Sequence, residues 1–405
     1  MRRDNGPAPK GTNAMDDIKR TVYADNSATT KVSESVFNAM LPYLRDSFGN
    51  PSSLYRAGRE NAAVILEARE KIAGLLGAKA SEIYFTSCGS EADNWAIKGA
   101  AHANAKKGKH IITTCYEHHA VLHTMDSLKK EGFDVTYLRC DGDGMITPEQ
   151  LESAIRPDTT LCAVMFANNE IGTILPIKEM AAVAKKHGVT FFTDAVQAVG
   201  NVPIDVRDLG VDMLSLSGHK IHAPKGVGAL YIRTGTRVSN LIDGGGQERG
   251  RRGGTENVAF IVGLARALED AVGSVSEGER VRKMRDRLAE GLSAIPHSRI
   301  NGTMEKRLPG NLNMSFEFIE GESLVLLLDL NGIMASTGSA CSSASLEPSH
   351  VLLSIGVPVE LAHGSLRISL SKENTEEDVD YILKKVPEVV AKLREMSPLY
   401  DAARA

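Results

Sequence analysis

Apolar runs alternate with helical patterns over the first two-thirds of the chain. Helical periodicity over residues 90–107 follows a strand-like run at 82–87, and a helical segment at 177–187 ends at Gly188. This alternation is typical of βαβ units, so it predicts an α/β fold with a mostly parallel sheet and helices on both faces. The other strand-like runs lie at 110–114, 160–168, 189–195 and 211–217. One helix start is marked clearly by Thr147-Pro148-Glu149-Gln150, an N-cap, an N1 proline and a reaching glutamine.

The pattern changes beyond about residue 256. Long amphipathic helices are predicted over 256–272 and 275–295, and a closing helix over 375–396. Short strands are expected between them, at 311–317, 333–337 and 365–371. We therefore expect a disordered leader at 1–20, a large domain at 21–272 and a small α+β C-terminal domain at 273–405. Met15 is an alternative start to Met1.

Composition excludes several classes of protein. The 405 residues are 42% hydrophobic and carry a formal net charge of −4, whereas a nucleic-acid-binding protein normally shows a basic excess. The longest strongly apolar stretch, 324–328, is far shorter than the roughly 18 residues of a membrane span. The first residues also lack the apolar core of a secretory signal. We expect a cytoplasmic protein with no direct nucleic-acid or membrane partner.

The five cysteines are well separated in sequence. They stand at positions 88, 115, 140, 162 and 341, with no pair at CxxC spacing. This spacing excludes the usual zinc, iron–sulfur and redox cysteine motifs. We expect the cysteines to act singly, if they act at all.

Three places at predicted strand ends could carry chemistry. The turn at 87–91 contains Gly89 and opens a helix, which suits either a phosphate group or an ordinary capped loop. Asp194 ends one apolar strand and Lys220 follows the next. A buried aspartate needs a cationic partner, and a lysine inside a core should have a depressed pKa and an available amine. A helix cap and a surface lysine are the alternatives for the two residues taken singly.

Seven motifs stand in order along the chain: VYADNSATT (22–30), GNPSS (49–53), EHHAVLHT (117–124), NNEIGT (168–173), SGHKIHAPKGVGALYIR (217–233), GGGQERGRRGGT (244–255) and STGSACSSASLEPS (336–349). Together they resemble the cysteine desulfurases of the NifS/IscS type, in the class V aminotransferase branch of the fold-type-I pyridoxal-phosphate enzymes. The resemblance runs from about residue 22 to 399. It implies a seven-stranded sheet in the large domain, whose first residues pack with the small domain.

The resemblance implies pyridoxal 5'-phosphate as cofactor. Lys220 is similar to the lysine that bonds to it covalently, and Asp194 to the acid that pairs with its ring nitrogen. His118 resembles the imidazole that stacks on the ring and exchanges protons. Asn169 and Gln197 resemble the residues that bind its phenolic oxygen. The residues implied to hold the phosphate are Gly89, Ser90, Ser217, His219 and, from a second subunit of a homodimer, Thr255.

The resemblance also implies the reaction. Cys341, on a small-residue segment that predicts a mobile loop, is similar to the nucleophile that takes sulfur from L-cysteine as a persulfide and leaves L-alanine. Arg367 matches the arginine that binds the substrate carboxylate, together with Asn169. The sulfur would pass to an iron–sulfur scaffold or another sulfur-acceptor protein, for cluster assembly, cofactors or tRNA. No fixed metal site is expected, apart from transient iron–sulfur ligation that the Cys341 persulfide could provide.

Some features leave alternatives open. Tyr55, His222 and Cys88 depart from the family pattern, and His119 and His123 stand at a spacing that can bind zinc. A selenocysteine lyase or a class V aminotransferase would share the fold and the cofactor. A catalytically inactive sulfur carrier or scaffold is a further alternative, although the chain keeps Lys220 and Cys341.

Overall fold

The computed structural model describes residues 20–338 and 347–400, and in these residues twelve β-strands form three sheets. The predicted leader lies outside this part of the chain, except for Arg20. The strands are β1 (Val22–Tyr23), β2 (Ile83–Thr86), β3 (His110–Thr114), β4 (Asp134–Leu138), β5 (Thr159–Ala163), β6 (Thr190–Asp194), β7 (Met213–Ser217), β8 (Gly228–Ile232), β9 (Ser298–Ile300), β10 (Asn311–Phe316), β11 (Ile333–Met334) and β12 (Ser365–Ser369).

The largest sheet has seven strands in the order β2-β8-β7-β6-β5-β3-β4. β8 runs antiparallel to both of its neighbours, and the other four neighbouring pairs are parallel. The prediction of a mostly parallel sheet is therefore confirmed. A second sheet pairs β10 with β12 and β9 in antiparallel fashion, and β1 pairs with β11 in parallel.

The helices at 90–107, 177–187, 256–272, 275–295 and 375–396 that periodicity predicted are present, together with others that it did not predict. They are α1 (Glu34–Arg45), α2 (Arg56–Leu76), α3 (Gly89–Asn104), α4 (His119–Lys130), α5 (Pro148–Ala154), α6 (Ile177–Lys186), α7 (Val206–Leu209), α8 (Gln247–Gly250), α9 (Val258–Gly273), α10 (Gly278–Ser293), α11 (Gly321–Asp329), α12 (His350–Ser354), α13 (Val359–His363) and α14 (Glu376–Glu395). At the start of α5, the Thr147 hydroxyl accepts from the Gln150 backbone N–H, and the Gln150 side chain accepts from the Thr147 N–H. The predicted capping box is confirmed.

The seven-stranded sheet separates two apolar clusters. Successive residues of β6 point to opposite faces, so that Phe191 belongs to the cluster with α2, α6 and α9 side chains, whereas Phe192 belongs to the cluster with Trp95 of α3. A third cluster joins α10, α11, α14 and the β10–β12 pair, and it includes Val22 and Ala24 from the start of the described chain. The exact division into two domains stays a prediction. None of the described helices is both long and apolar enough to cross a membrane.

Candidate active site

A cavity of about 260 Å³ lies at the carboxyl edge of the seven-stranded sheet, where ligands of open α/β sheets bind. β6 ends there at Asp194 and β7 at Ser217. Ten of the twelve predicted site residues line it: Gly89, Ser90, His118, Asn169, Asp194, Gln197, Ser217, His219, Lys220 and Arg367. Residues at or after the ends of five strands, β2, β3, β5, β6 and β7, therefore surround one space together with Arg367 of β12.

One end of the cavity is suited to an anion. The first turn of α3 faces it, and Cys88, the N-cap residue, makes no side-chain hydrogen bond to the helix. The buried Ser217 hydroxyl has no hydrogen-bond partner among the described residues. A Cβ on Gly89 would approach Val196 Cγ2 to 2.8 Å, so only glycine leaves this turn open. A helix N-terminus with an unpaired hydroxyl beside it is a typical phosphate site.

Asp194 supplies a buried carboxylate on the cavity wall. Its Oδ1 accepts a hydrogen bond from the Val196 backbone N–H at 2.9 Å. Burial raises the pKa of Asp194 to about 6, while that hydrogen bond and the charge of Lys220 act in the opposite direction. A carboxylate with this pKa is ready to pair with a cationic group, such as a protonated ring nitrogen.

Lys220 enters the cavity from the short 3₁₀ turn Gly218–Lys220 after β7. Its Nζ donates to the carbonyl oxygens of Ser27 and, at 2.8 Å, of Ala28. Next to it, His219 Nδ1 lies 3.1 Å from the Thr29 hydroxyl. Burial, and then the positive charge of Lys220, lower the pKa of His219 to about 4. The lysine amine is thus held in place by the segment that follows β1.

His118 is held in one tautomer. Its Nδ1 accepts a hydrogen bond from the Ala120 backbone N–H at 3.1 Å, so the ring proton of the neutral imidazole resides on Nε2. Burial lowers the pKa of His118 to about 4, and Lys220 contributes in the same direction. A neutral ring of this kind can both stack on an aromatic ligand and move a proton at Nε2.

Arg367 is almost fully buried at the opposite wall. One terminal nitrogen donates to Asp25 Oδ1 at 2.8 Å, and the other donates to the carbonyl oxygens of Asn169 and Gly338 at 2.9 and 3.0 Å. Its Nε has no partner among the described residues. The guanidinium is therefore fixed in direction and charged, which suits a ligand carboxylate.

Three buried carboxyl groups in or near the cavity were not predicted from the sequence, and one of them, Glu170, lines it and accepts from the Ser349 hydroxyl. Asp93 lies beneath Asp194 with its Oδ1 2.5 Å from the Ser215 hydroxyl, and burial and Asp194 raise its pKa well above the ordinary value. Glu117 accepts from Thr114 and from the Met165 N–H, and burial raises its pKa to about 8. A signal existed for Asp93, which sits on the buried stripe of α3 among apolar residues.

Thr255, another predicted site residue, does not line this cavity. Thr255 is exposed and lines a neighbouring cavity of about 210 Å³ with Ser87 and Arg252. Arg252 forms an ion pair with Glu91 in the first turn of α3. Cys341, with the loop predicted around it, lies outside the described residues.

The structure also locates Cys88, Tyr55 and the histidine pair His119 and His123. Cys88 lines the cavity, whereas Tyr55 is 60% exposed as the N-cap residue of α2. His119 and His123 have ring centroids 5.1 Å apart, and no group of three or more potential ligands in the described chain is arranged to hold a metal.

Two of the cysteines lie close together in the structure, although they are far apart in sequence. Cys115 and Cys140 are 25 positions apart in sequence, yet their Sγ atoms lie 3.8 Å apart. The pairing of β3 with β4 brings them together.

The relationships of the chain agree with this geometry. The family model described as aminotransferase class V matches residues 22–382. The chain belongs to the class V aminotransferase family. It is 59% identical over 381 residues to the cysteine desulfurase IscS of Methanosarcina thermophila, covering 94% of each chain. It is 55% identical to the cysteine desulfurase IscS of Clostridium botulinum, covering 95% of this chain and 98% of that protein.

Solved structures give the same relationship. A NifS-like protein superimposes with a TM-score of 0.87 and 44% identity, covering 92% of this chain and all of that one. A structure described as SspA in complex with cysteine has a TM-score of 0.78 and 40% identity, covering 86% of this chain and 99% of that one. The predicted α/β fold of the NifS-like type is confirmed.

Proposed function

We propose that this chain is a cysteine desulfurase that binds pyridoxal 5'-phosphate through Lys220 and passes sulfur from L-cysteine to Cys341. The activity follows from the family and from curated relatives of that name at 59% identity. The observation that carries the cofactor assignment is the convergence of Lys220, Asp194 and the anion-binding turn at Gly89 on one cavity.

The residues of the cavity fit this cofactor. The first turn of α3 with Ser217 and His219 would hold the phosphate, and Asp194 would hold the ring nitrogen. Gln197 and Asn169 would bind the phenolic oxygen, and His118 would cover the ring face. When bound, pyridoxal phosphate supplies an aldehyde for covalent attachment and an electron-withdrawing ring that weakens the bonds around the substrate α-carbon.

The chain's own side chains would divide the remaining tasks. Arg367 would bind the substrate carboxylate, because its charge is fixed in direction by Asp25 and by two backbone carbonyls. Lys220 Nζ would bond the cofactor and then move a proton at the substrate α-carbon. His118 would move a proton at Nε2, since its Nδ1 is already occupied by the Ala120 N–H.

Chain geometry supports Cys341 as the sulfur acceptor. Gly338 lines the cavity, and Cys341 follows it by three residues. Three peptide units limit the distance between their Cα atoms to about 11 Å. On the far side of the same segment, His350 also lines the cavity. The chain therefore lines the cavity both shortly before and shortly after the segment that contains Cys341.

A homodimer would complete the site. Thr255 does not line the cavity of its own chain, which agrees with its proposed role in the site of a second copy. The face of α1 exposes Phe37, Leu41 and Leu44 at helical spacing, and Phe48 beyond it is 86% exposed. Exposed apolar surface of this extent commonly marks a protein interface. Transfer of sulfur to an iron–sulfur scaffold or another acceptor, and a cytoplasmic location, stay predictions.

Product analysis of matched variants tests the proposal. The wild type and Cys341→Ala should both be yellow, and added L-cysteine should shift the visible absorption band of each. Only the wild type should release alanine and sulfide under reducing conditions, because the variant lacks the sulfur acceptor. Lys220→Ala should lose the covalent cofactor. Unchanged turnover by Cys341→Ala would refute the assigned nucleophile, and a colourless wild type after incubation with pyridoxal phosphate would refute the cofactor.

A further inference from the structure

Cys115 and Cys140 form a thiol pair at the carboxyl ends of two adjacent strands. Cys115 is the residue after β3, and Cys140 is the second residue after β4. The Cys115 N–H donates to the Leu138 carbonyl at 3.0 Å, which keeps the two segments side by side. Both residues are partly exposed, whereas Cys162 is buried.

The two thiols differ in their surroundings. Cys140 Sγ lies 3.4 Å from the carbonyl oxygen of Ser354, at the end of α12, and 3.8 Å from Cys115 Sγ. The hydrogen bond with Cys140 lowers the pKa of Cys115 to about 6, whereas that bond raises the pKa of Cys140. A carbonyl oxygen can only accept, so Cys140 is the thiol that keeps its proton in this contact. The directions of the two pKa shifts agree with this, because they make Cys115 the more acidic thiol of the pair.

We propose that Cys115 and Cys140 are a peroxide-reactive pair that closes an intramolecular disulfide, with Cys115 as the residue oxidised first. The Cys115 thiolate attacks one oxygen of a hydroperoxide, whose O–O bond breaks; the sulfur is oxidised to sulfenic acid and the peroxide is reduced to hydroxide. The Cys140 sulfur then attacks the Cys115 sulfur, and the S–OH bond breaks. The thiol proton and the hydroxyl leave as water.

The positions allow this reaction without loss of the sheet. The Sγ atoms need to approach from 3.8 Å to about 2.05 Å, the length of a disulfide bond. Both cysteines lie beyond the last residues of their strands, so side-chain rotation there leaves the β3–β4 ladder intact. Oxidation also removes the thiol hydrogen that Cys140 donates to the carbonyl oxygen of Ser354. Ser354 is the last residue of α12, and the first residue of that helix, His350, lines the cavity.

Disulfide mapping tests the pair independently of the desulfurase assignment. The full-length protein with Cys341→Ser, which removes one competing thiol, is treated with hydrogen peroxide, alkylated, and digested with trypsin and Glu-C for mass spectrometry. We expect a cross-linked peptide joining Cys115 to Cys140, two hydrogen masses lighter than the two peptides and separated again by dithiothreitol. Cys162 is fully buried, and its thiol serves as the internal unreactive control.

Two single variants assign the order of events. In Cys140→Ser, dimedone should label Cys115, because its sulfenic acid has no thiol partner. In Cys115→Ser, Cys140 should stay a free thiol at the same peroxide concentration. Separate alkylation of Cys115 and Cys140 in the peroxide-treated parent would overturn the pair, and dimedone labelling of Cys140 alone would overturn the proposed order.

Discussion

Asp25 and Arg367 are 342 positions apart in sequence and form an ion pair. Asp25 Oδ1 lies 2.8 Å from a terminal guanidinium nitrogen of Arg367. Asp25 follows β1, and Arg367 lies in the centre of β12. The pair ties the first described strand to the wall of the cavity, and it leaves the guanidinium almost completely buried. A charge held in this way is ready to bind an anionic substrate group without first becoming ordered.

The first prediction concerns Arg367→Lys. Lysine keeps the charge but loses the planar fork that contacts Asp25, Asn169 and Gly338 together, so the substrate carboxylate should bind less well. We expect KM for L-cysteine to rise on the order of 10- to 100-fold, with a smaller loss in kcat. Steady-state alanine formation measures both constants. Arg287→Lys is the matched control, because Arg287 pairs with Glu376 on the exposed surface. An unchanged KM in Arg367→Lys would contradict the assigned role.

The second prediction concerns Gly89→Ala. The added Cβ would meet Val196 Cγ2 at 2.8 Å and Ser217 Cβ at 3.4 Å, within the turn proposed to hold the phosphate. We expect cofactor affinity to fall by at least 10-fold, measured by absorbance during titration of the apo protein with pyridoxal phosphate. Gly74→Ala is the control. A Cβ there meets no atom within 4 Å, and alanine should stabilise α2 by up to about 1 kcal/mol. Equal cofactor affinity in both variants would place the phosphate elsewhere.

The third prediction concerns the pH dependence of stability through Glu117. Burial raises its pKa from the ordinary 4.5 to about 8 in the folded protein. The contribution of Glu117 to the free energy of unfolding is fully present below pH 4.5. It is lost as the pH rises from 4.5 through 8, because over this range the unfolded chain releases the Glu117 proton while the folded chain keeps it. The slope within this window is about 1.4 kcal/mol per pH unit.

Glu117→Gln removes this titration. The free energy of unfolding of the variant, minus that of the wild type, should therefore increase from pH 5 to pH 8. Urea unfolding at four pH values measures it. Other titrating groups, including His118 and Asp194, are present in both proteins and largely cancel in the difference. A difference that stays constant with pH would show that Glu117 ionises normally in the folded state.

Local periodicity predicted most of the fold, because each amphipathic helix and apolar strand carries its pattern within about fifteen residues. The predicted helix at 90–107 is α3, and the predicted strands at 110–114 and 211–217 are β3 and β7. The pattern could not reveal that β8 runs antiparallel between β2 and β7, because pairing partners are chosen by the whole sheet. It also placed helix starts a few residues early, at 256 and 275 instead of Val258 and Gly278.

The residues of the candidate site were also predicted where the signal is local and missed where it depends on contacts between distant segments. Asp194 and Lys220 were found because each stands at the end of an apolar strand, and the family motifs gave the remaining residues. Contacts between distant segments were not predictable. The approach of Cys115 to Cys140 depends on which strand lies beside β3, and sequence spacing alone does not indicate it.

The last prediction concerns a buried ion pair that anchors the glycine-rich segment before Thr255. Both carboxylate oxygens of Glu248 accept from Arg69 at 2.7 Å, and one also accepts from the Phe85 N–H at 3.0 Å. Glu248 holds this position with a left-handed backbone, at φ 47°. Glu248→Gln would leave the Arg69 charge buried without a counterion. We expect a loss of about 3–5 kcal/mol in the free energy of unfolding, measured with urea.

An exposed pair provides the control for this variant. Arg56 and Glu60 lie 2.6 Å apart on the surface of α2, so Glu60→Gln should lower the free energy of unfolding far less than Glu248→Gln does. Replacing both Arg69 and Glu248 with methionine should recover part of the stability lost in Glu248→Gln, because no unpaired charge then remains buried. Equal effects of the two single glutamine variants would contradict a buried anchor. If the segment carries Thr255 to a second subunit, Glu248→Gln should also weaken dimerisation in sedimentation experiments, whereas Glu60→Gln should not.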